Sequence, residues 1–294
     1  MRRFQVRGEG GSVRLGVLRD GRALLLRSPH DGIATTLDLF LAQEERGVEP
    51  RRWLEAAERA GGLDAVAWDD LGRGGNPRLA LPVTPPEVWG AGVTYRRSAD
   101  FREEGTGIYD RVYSAERPEL FFKATAWRCV AHGEPIGRRR DSGFTAAEPE
   151  IAIVLGRSGA VLGFTLANDV SAWDIERDNP LYLPQSKVYA GCFAFGPTIV
   201  TPDEIPDPYA IALRCRVLRG EREVFAGDAT TGQLKRRFEE LVGWLTRSNE
   251  IRTGTVLSTG TGIIQPLGSG LEEGDVVVLS SPELGELRNP VALV

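Results

Sequence analysis

Cysteine is scarce in this chain and never closely paired: Cys129, Cys192 and Cys215 lie far apart, with no CxxC spacing. That pattern excludes a disulfide framework and a thiolate metal site, and it suits reduced thiols in a cytoplasm. Histidine is scarcer still, and His30 and His132 do not stand at metal-ligand spacing, so both read as structural. No apolar run approaches the roughly 20 residues that span a bilayer. The basic start MRRFQVRGEGGSVRLG lacks the apolar stretch of a secretory signal. Basic blocks are missing as well: the arginines are scattered and the formal net charge is -5, which gives nucleic acid no footprint. Neither an internal repeat nor a low-complexity segment is visible. What remains is ordinary globular composition, 41% hydrophobic and 26% charged, expected of a cytoplasmic protein that acts on a small soluble molecule.

At 294 residues the chain is long enough for a main domain with an appendage, and the expected division is a small N-terminal domain over 1–80 and a larger one over 81–294. In the first, RRFQVRG, SVRLGVLRD and RALLLR read as short strands, and RRWLEAAERA as a helix. The Gly- and Pro-rich segment 71–90 disfavours regular structure and marks the boundary. Beyond it, PELFFKA and EIAIVLG suit buried strands, and GAVLGFTLAND returns after the turn RSG as the second arm of a hairpin. IALRCRVL alternates Ile211, Leu213, Cys215 and Val217 with other residues, the period of a half-buried strand. QLKRRFEELVGWLTRSN puts Leu234, Phe238, Leu241, Val242 and Leu245 at helical spacing, and the tail GLEEGDVVVLSSPELGELRNPV reads as a further hairpin.

The chemistry gathers in EPEIAIVLGRSGAVLGFTLANDVSAWD, residues 148–174. Side chains two apart on a strand point the same way, so Glu148 and Glu150 share a face roughly 7 Å apart and repel. Pro149 between them cannot donate a ladder hydrogen bond, which predicts an edge, an entrance or a bulge. Two solvated acids would explain an isolated Glu-X-Glu. The hairpin, however, returns Asp169 to the same place, and three partly buried carboxylates call for a hard divalent cation. Magnesium leads, and manganese or calcium would accept the same ligands. Lys187, if held beside such a cation and desolvated, becomes able to move protons, although a lone lysine near acids is most often a salt-bridge partner. Glu119, opening an apolar strand, is a second acid/base candidate beside the plainer reading of a surface carboxylate. STGTGIIQP, residues 258–266, reads as a loop whose amides and Thr259 and Thr261 hydroxyls could hold a substrate carboxylate. It lacks the βαβ context of a dinucleotide site.

Taken in order, EPEIAIVLG, VLGFTLANDVSAWD, the lysine that follows, LSTGTG and the closing GDVVVLSSPELGELRNPV resemble the fumarylacetoacetate hydrolase family over roughly 85–294. The resemblance implies an α+β, strand-rich fold: a mixed β-sheet roll or barrel with a small N-terminal α/β domain, commonly assembled as a homodimer or homotetramer. It implies Mg2+ (or Mn2+ or Ca2+) on Glu148, Glu150 and Asp169, a catalytic lysine at Lys187, and substrate contacts at Thr259, Gly260 and Thr261. Thr94, Tyr95 and Lys123 are further candidates for contact with substrate. Two departures stand out. Ser98 occupies the place of a histidine that activates water in the hydrolases, and Trp173 that of an arginine. VWGAGVTY, RPELFFKATAWRCVAHGEPIG, DSGFTAAEPE and NPLYLPQSKVYAGCFAFGP look like the branch that dehydrates 2-keto-3-deoxy sugar acids, such as 2-keto-3-deoxy-D-arabinonate, to 2,5-dioxopentanoate through a metal-stabilised enolate, with Glu119 as acid/base beside Lys187. The same constellation would also suit a C–C hydrolase of acylpyruvates or an oxaloacetate decarboxylase, and a third reading is a metal-binding protein without activity.

Overall fold

The acid-bearing hairpin forms where two apolar runs and the turn between them place it. In a computed structural model that describes residues 1–72, 75–96 and 108–294, β-strands dominate and helices are few and short. The N-terminal segment carries β1 (Arg2–Arg7), β2 (Val13–Arg19), β3 (Arg22–Leu26), α1 (Thr36–Arg46), α2 (Pro50–Arg59), β4 (Leu63–Ala67), α3 (Trp68–Gly72) and β5 (Arg78–Ala80). β6 (Val88–Gly92), α4 (Ile108–Ser114), β7 (Glu119–Ala124), β8 (Cys129–Val130), β9 (Ile136–Arg138) and β10 (Thr145–Ala146) lead to the hairpin of β11 (Pro149–Leu155) and β12 (Val161–Asp169). Then come β13 (Ser171–Ala172), α5 (Trp173–Asp178), α6 (Leu183–Lys187), β14 (Phe193–Val200), β15 (Ala212–Arg219), β16 (Arg222–Thr230), α7 (Phe238–Leu245), β17 (Thr255–Thr261), β18 (Val276–Ser281) and β19 (Gly285–Leu293).

A large mixed sheet runs in the order β4-β3-β2-β1-β14-β12-β11-β17-β6-β7, with β5 on β1 and β8 on β14. A second sheet, β16-β15-β18-β19-β9, packs over it. The N-terminal strands therefore continue the main sheet, joined through β1 and β14 at Arg2–Val200 and Arg3–Ile199. Their helices are locally well specified. Thr35 and Asp38 form a reciprocal capping box at the start of α1, and Gly47 ends it in the left-handed region. Among the described residues, no helix is long and apolar enough to cross a membrane.

β11 lies deep in the sheet, paired with β12 on one side and β17 on the other. One set of its side chains (Ile151, Ile153, Leu155) joins Leu213, Cys215, Val217, Val277 and Leu279 of the second sheet. The alternate set (Ala152, Val154) meets Phe40, Phe193 and Phe195. A strand buried on both faces reads as an unbroken apolar run, which is what EIAIVLG is. This central position corrects the expectation of an edge for Pro149. Proline opens the strand opposite Asn168, and the register towards β17 shifts between Glu150 and Ala152, so the bulge is the part of that expectation that holds.

The helix read from residue 234 onwards is also shorter than its periodicity predicts. α7 starts at Phe238, because the backbone before it is used elsewhere: Leu234 bridges to Tyr95 and the Lys235 N–H donates to the Thr94 carbonyl. Phe238, Leu241 and Leu245 still pack on the core. Truncating Ile153, fully buried in the middle of β11, should cost about 2–5 kcal/mol of unfolding free energy. Urea titration of Ile153→Ala checks this, and a loss below about 1 kcal/mol would contradict the packing described.

Candidate active site

Glu148 enters the site from the residue before β11, Glu150 from the start of β11, and Asp169 from the end of β12. The hairpin register, Pro149 opposite Asn168, is what brings them level. One carboxylate oxygen from each lies within 4.8 Å of the others, and the three residues are only 3%, 2% and 1% exposed. Like charges so close and so dry would drive the chain apart without compensation.

Compensation comes from two buried lysines. The Lys187 ammonium, presented by the short α6, donates to Glu148 Oε1 at 2.8 Å, Asp169 Oδ2 at 3.1 Å and Ser171 Oγ at 2.7 Å. Lys123 Nζ sits 2.6 Å from Asp169 Oδ1 and donates to the carbonyls of Val170 at 2.9 Å and Lys187 at 2.6 Å. Neutral donors complete the frame. The Trp173 indole N–H donates to Glu148 Oε1 at 2.6 Å, and Glu150 Oε2 accepts from Ser258 Oγ at 2.6 Å and from the Gly260 N–H at 2.7 Å. These bonds converge on Oε1 of Glu148 and on Oε2 of Glu150, which helps to fix the tilt of each carboxylate.

Among the described residues, three carboxylates face two ammoniums, one negative charge in excess. Burial first, then the charges of Asp169 and Glu148, push the Glu150 carboxyl up to about 8. Near neutrality, without a cation, Glu150 therefore holds a proton, which offsets that excess. A hard divalent ion with a preference for oxygen fits this donor set: it supplies the missing positive charge and takes the place of that proton.

The remaining expected residues stand on β7, on β17 and in the turn after β6. Glu119, Phe121 and Lys123 alternate onto one face of β7, and the Glu119 carboxylate lies over Gly92 of β6, at 2.1 Å from where a Cβ would stand. Val93 then turns the chain in the left-handed region, φ 53°, a conformation that costs a β-branched residue roughly 1–3 kcal/mol. The turn delivers Thr94 and Tyr95 against β17. Thr94 Oγ1 donates to the Thr259 carbonyl at 2.7 Å, and Tyr95 is buried, its phenol pushed upward by burial and by the nearby Glu150 charge.

Residues 259–261, read as a loop with free amides, are instead the end of buried β17. Thr259 Oγ1 donates to the Ile151 carbonyl at 2.6 Å, Thr261 Oγ1 to that of Ile263 at 3.1 Å, and the Gly260 amide is taken by Glu150. The three contacts of Lys123 likewise make it a support for Asp169 rather than an open donor. Ser98 lies outside the described residues. Ser171, Ser258 and Phe121 were not singled out from the sequence. For Ser171 a signal existed, since it follows Asp169 by two residues.

Residues 87–292 match the family described as fumarylacetoacetate (FAA) hydrolase C-terminal. The chain belongs to the fumarylacetoacetate hydrolase family. It is 48% identical over 221 residues to a 2-dehydro-3-deoxy-D-arabinonate dehydratase of Saccharolobus solfataricus, covering 73% of this chain and 74% of that protein. A probable 2-keto-3-deoxyxylonate dehydratase of Haloferax volcanii is 39% identical over 289 residues, 97% of each chain. The solved structure of a 2-keto-3-deoxy-D-arabinonate dehydratase complexed with magnesium and 2,5-dioxopentanoate superposes with a TM-score of 0.84 at 37% identity, over 100% of this chain and 99% of that one. At Trp173, where the family resemblance implies an arginine, this chain places a neutral indole donor on Glu148.

Two outcomes follow for the ion-free site. Because the folded pKa of Glu150 lies above its ordinary 4.5, this group stabilises the fold below that value, and its contribution is lost as pH rises to about 8. A divalent ion must displace the proton, so its affinity should rise by up to about tenfold per pH unit across that window. Thermal unfolding with and without MgCl2 from acid to mildly alkaline pH reads this directly, and a magnesium-induced shift that shrinks with rising pH would contradict it. Gly260 has φ 93°, and a Cβ there would stand 1.9 Å from Thr94 Oγ1. Gly260→Ala should therefore lower the melting temperature and weaken the magnesium-induced shift together.

Proposed function

We propose that this protein is a magnesium-dependent hydro-lyase that removes water from a 2-keto-3-deoxy sugar acid, such as 2-keto-3-deoxy-D-arabinonate, to give 2,5-dioxopentanoate. The observation that carries this reading is the buried meeting of Glu148, Glu150, Asp169 and Lys187. The names of its relatives point the same way, two of them dehydratases at 48% and 39% identity. Magnesium, held by Glu148, Glu150 and Asp169, would supply a Lewis acid for the oxygens of a 2-keto acid.

The chain's own groups account for the proton movements. The C3 hydrogens of such a substrate are acidic because they flank the 2-keto group. Lys187 and Glu119 divide the work: one removes the C3 proton and the other protonates the departing C4 hydroxyl. Loss of water leaves a C3–C4 double bond. A proton shift from C5 to C3 then gives an enol, and its tautomer is the terminal aldehyde. Lys123 holds Asp169, while Trp173 and Ser258 hold the two glutamates, so that the acids keep their tilt as charge develops. Contacts from Thr94, Tyr95, Thr259, Gly260 and Thr261 to substrate belong to this proposal, as do a cytoplasmic location and a homodimeric or homotetrameric assembly.

The deciding assay offers 2-keto-3-deoxy acids, acylpyruvates and oxaloacetate with magnesium and identifies products by mass spectrometry. A product lighter than its substrate by one water is expected. Carbon dioxide or a split carbon chain would select a decarboxylase or hydrolase, and no turnover with retained magnesium binding would leave a metal-stabilised protein without activity. Lys187→Ala and Glu119→Gln should each lower kcat by about a hundredfold or more. Near-normal rates in both would remove the assignment.

A further inference from the structure

β6 and β7 meet in a register that pairs Gly90 with Phe121 and Gly92 with Glu119. Neither glycine has a positive φ, so the backbone does not require them. The side chains across from them do. A Cβ on Gly90 would stand 2.5 Å from Phe121 Cζ and 2.7 Å from its Cε2, well inside contact distance. The Phe121 ring therefore folds over the bare Gly90 backbone. It also faces the site, with its centroid 5.3 Å from the Lys187 ammonium.

We infer that Phe121 is a positioning residue for the reaction, with Gly90 as its seat: the ring confines the Lys187 ammonium to the place from which it serves the substrate. This inference rests on the dehydratase reading. A lysine stem has four rotatable carbons, and the amine is useful only if it is held near the reacting carbon. Glu148, Asp169 and Ser171 fix Lys187 by hydrogen bonds. An aromatic face adds an electrostatic attraction for the cation without adding an acceptor, and it keeps water from that surface. A ring at this point leaves the carboxylates unaltered, so its loss falls on turnover rather than on capture of the keto acid.

The test is a double-mutant cycle in the magnesium-loaded full chain. Phe121→Leu keeps an apolar side chain and removes the ring. Gly90→Ala keeps the ring and drives it from its seat. Each should lower kcat by about tenfold or more while KM stays within about threefold, and the double variant should be no worse than Phe121→Leu alone. A proton NMR measurement on the ion-free protein reads the contact itself: the ε-methylene of Lys187, assigned through Lys187→Arg, should be shifted upfield by the ring, and Phe121→Leu should abolish that shift. Unchanged kcat in Phe121→Leu, a change confined to KM, losses that multiply in the double variant, or the absence of the ring shift would each overturn the inference while wild-type turnover upholds the dehydratase. Absence of water loss by the wild type would overturn the dehydratase reading and the role of Phe121 with it.

Discussion

Repulsion among three buried carboxylates is the constraint around which the site is built. At about 4 Å and an effective dielectric near 20, each like-charged pair costs roughly 4 kcal/mol before desolvation is counted. A fold of marginal stability cannot carry that unaided. The two lysines, the displaced pKa of Glu150 and the donors from Trp173, Ser258 and Gly260 are separate answers to the same problem. Rigid placement comes from the sheet, since β11 is locked between β12 and β17 and buried on both faces.

Missing side chains contribute as much as those present. Gly260 allows its amide to reach Glu150 while Thr94 passes close by, and Gly90 and Gly92 leave the room taken by Phe121 and Glu119. Close approach of backbone to functional side chains is a standard use of glycine. Trp173 shows a different economy of charge. An indole donates one hydrogen bond and adds no charge, so among the described residues Lys123 and Lys187 bring the positive charge to the acids, and the indole packs against Phe144 and Ile264 as well.

Much of the architecture could be read from local pattern. The period of two in IALRCRVL, the apolar run of EIAIVLG and the turn signals of both hairpins gave strands where strands stand. The acids Glu148, Glu150 and Asp169 could be proposed together because a hairpin of short loop has a register that sequence spacing nearly dictates. The start of α7 was not legible, since Leu234 and Lys235 are claimed by a backbone partner some 140 positions away. STGTG looked like a loop because its glycines weigh against a strand, whereas its pairing with β11 and β6 makes it strand.

The sequence by itself determined which residue types were available, the faces they occupy on each strand, and the local hairpin that gathers three carboxylates. Tertiary structure decided what those carboxylates touch. Lys123, Trp173, Ser258 and Phe121 reach the cluster from β7, α5 and β17, and only the order of strands in the sheet sets those distances. The physical reason is that side-chain alternation is a property of each strand alone, whereas charge compensation depends on which strands become neighbours.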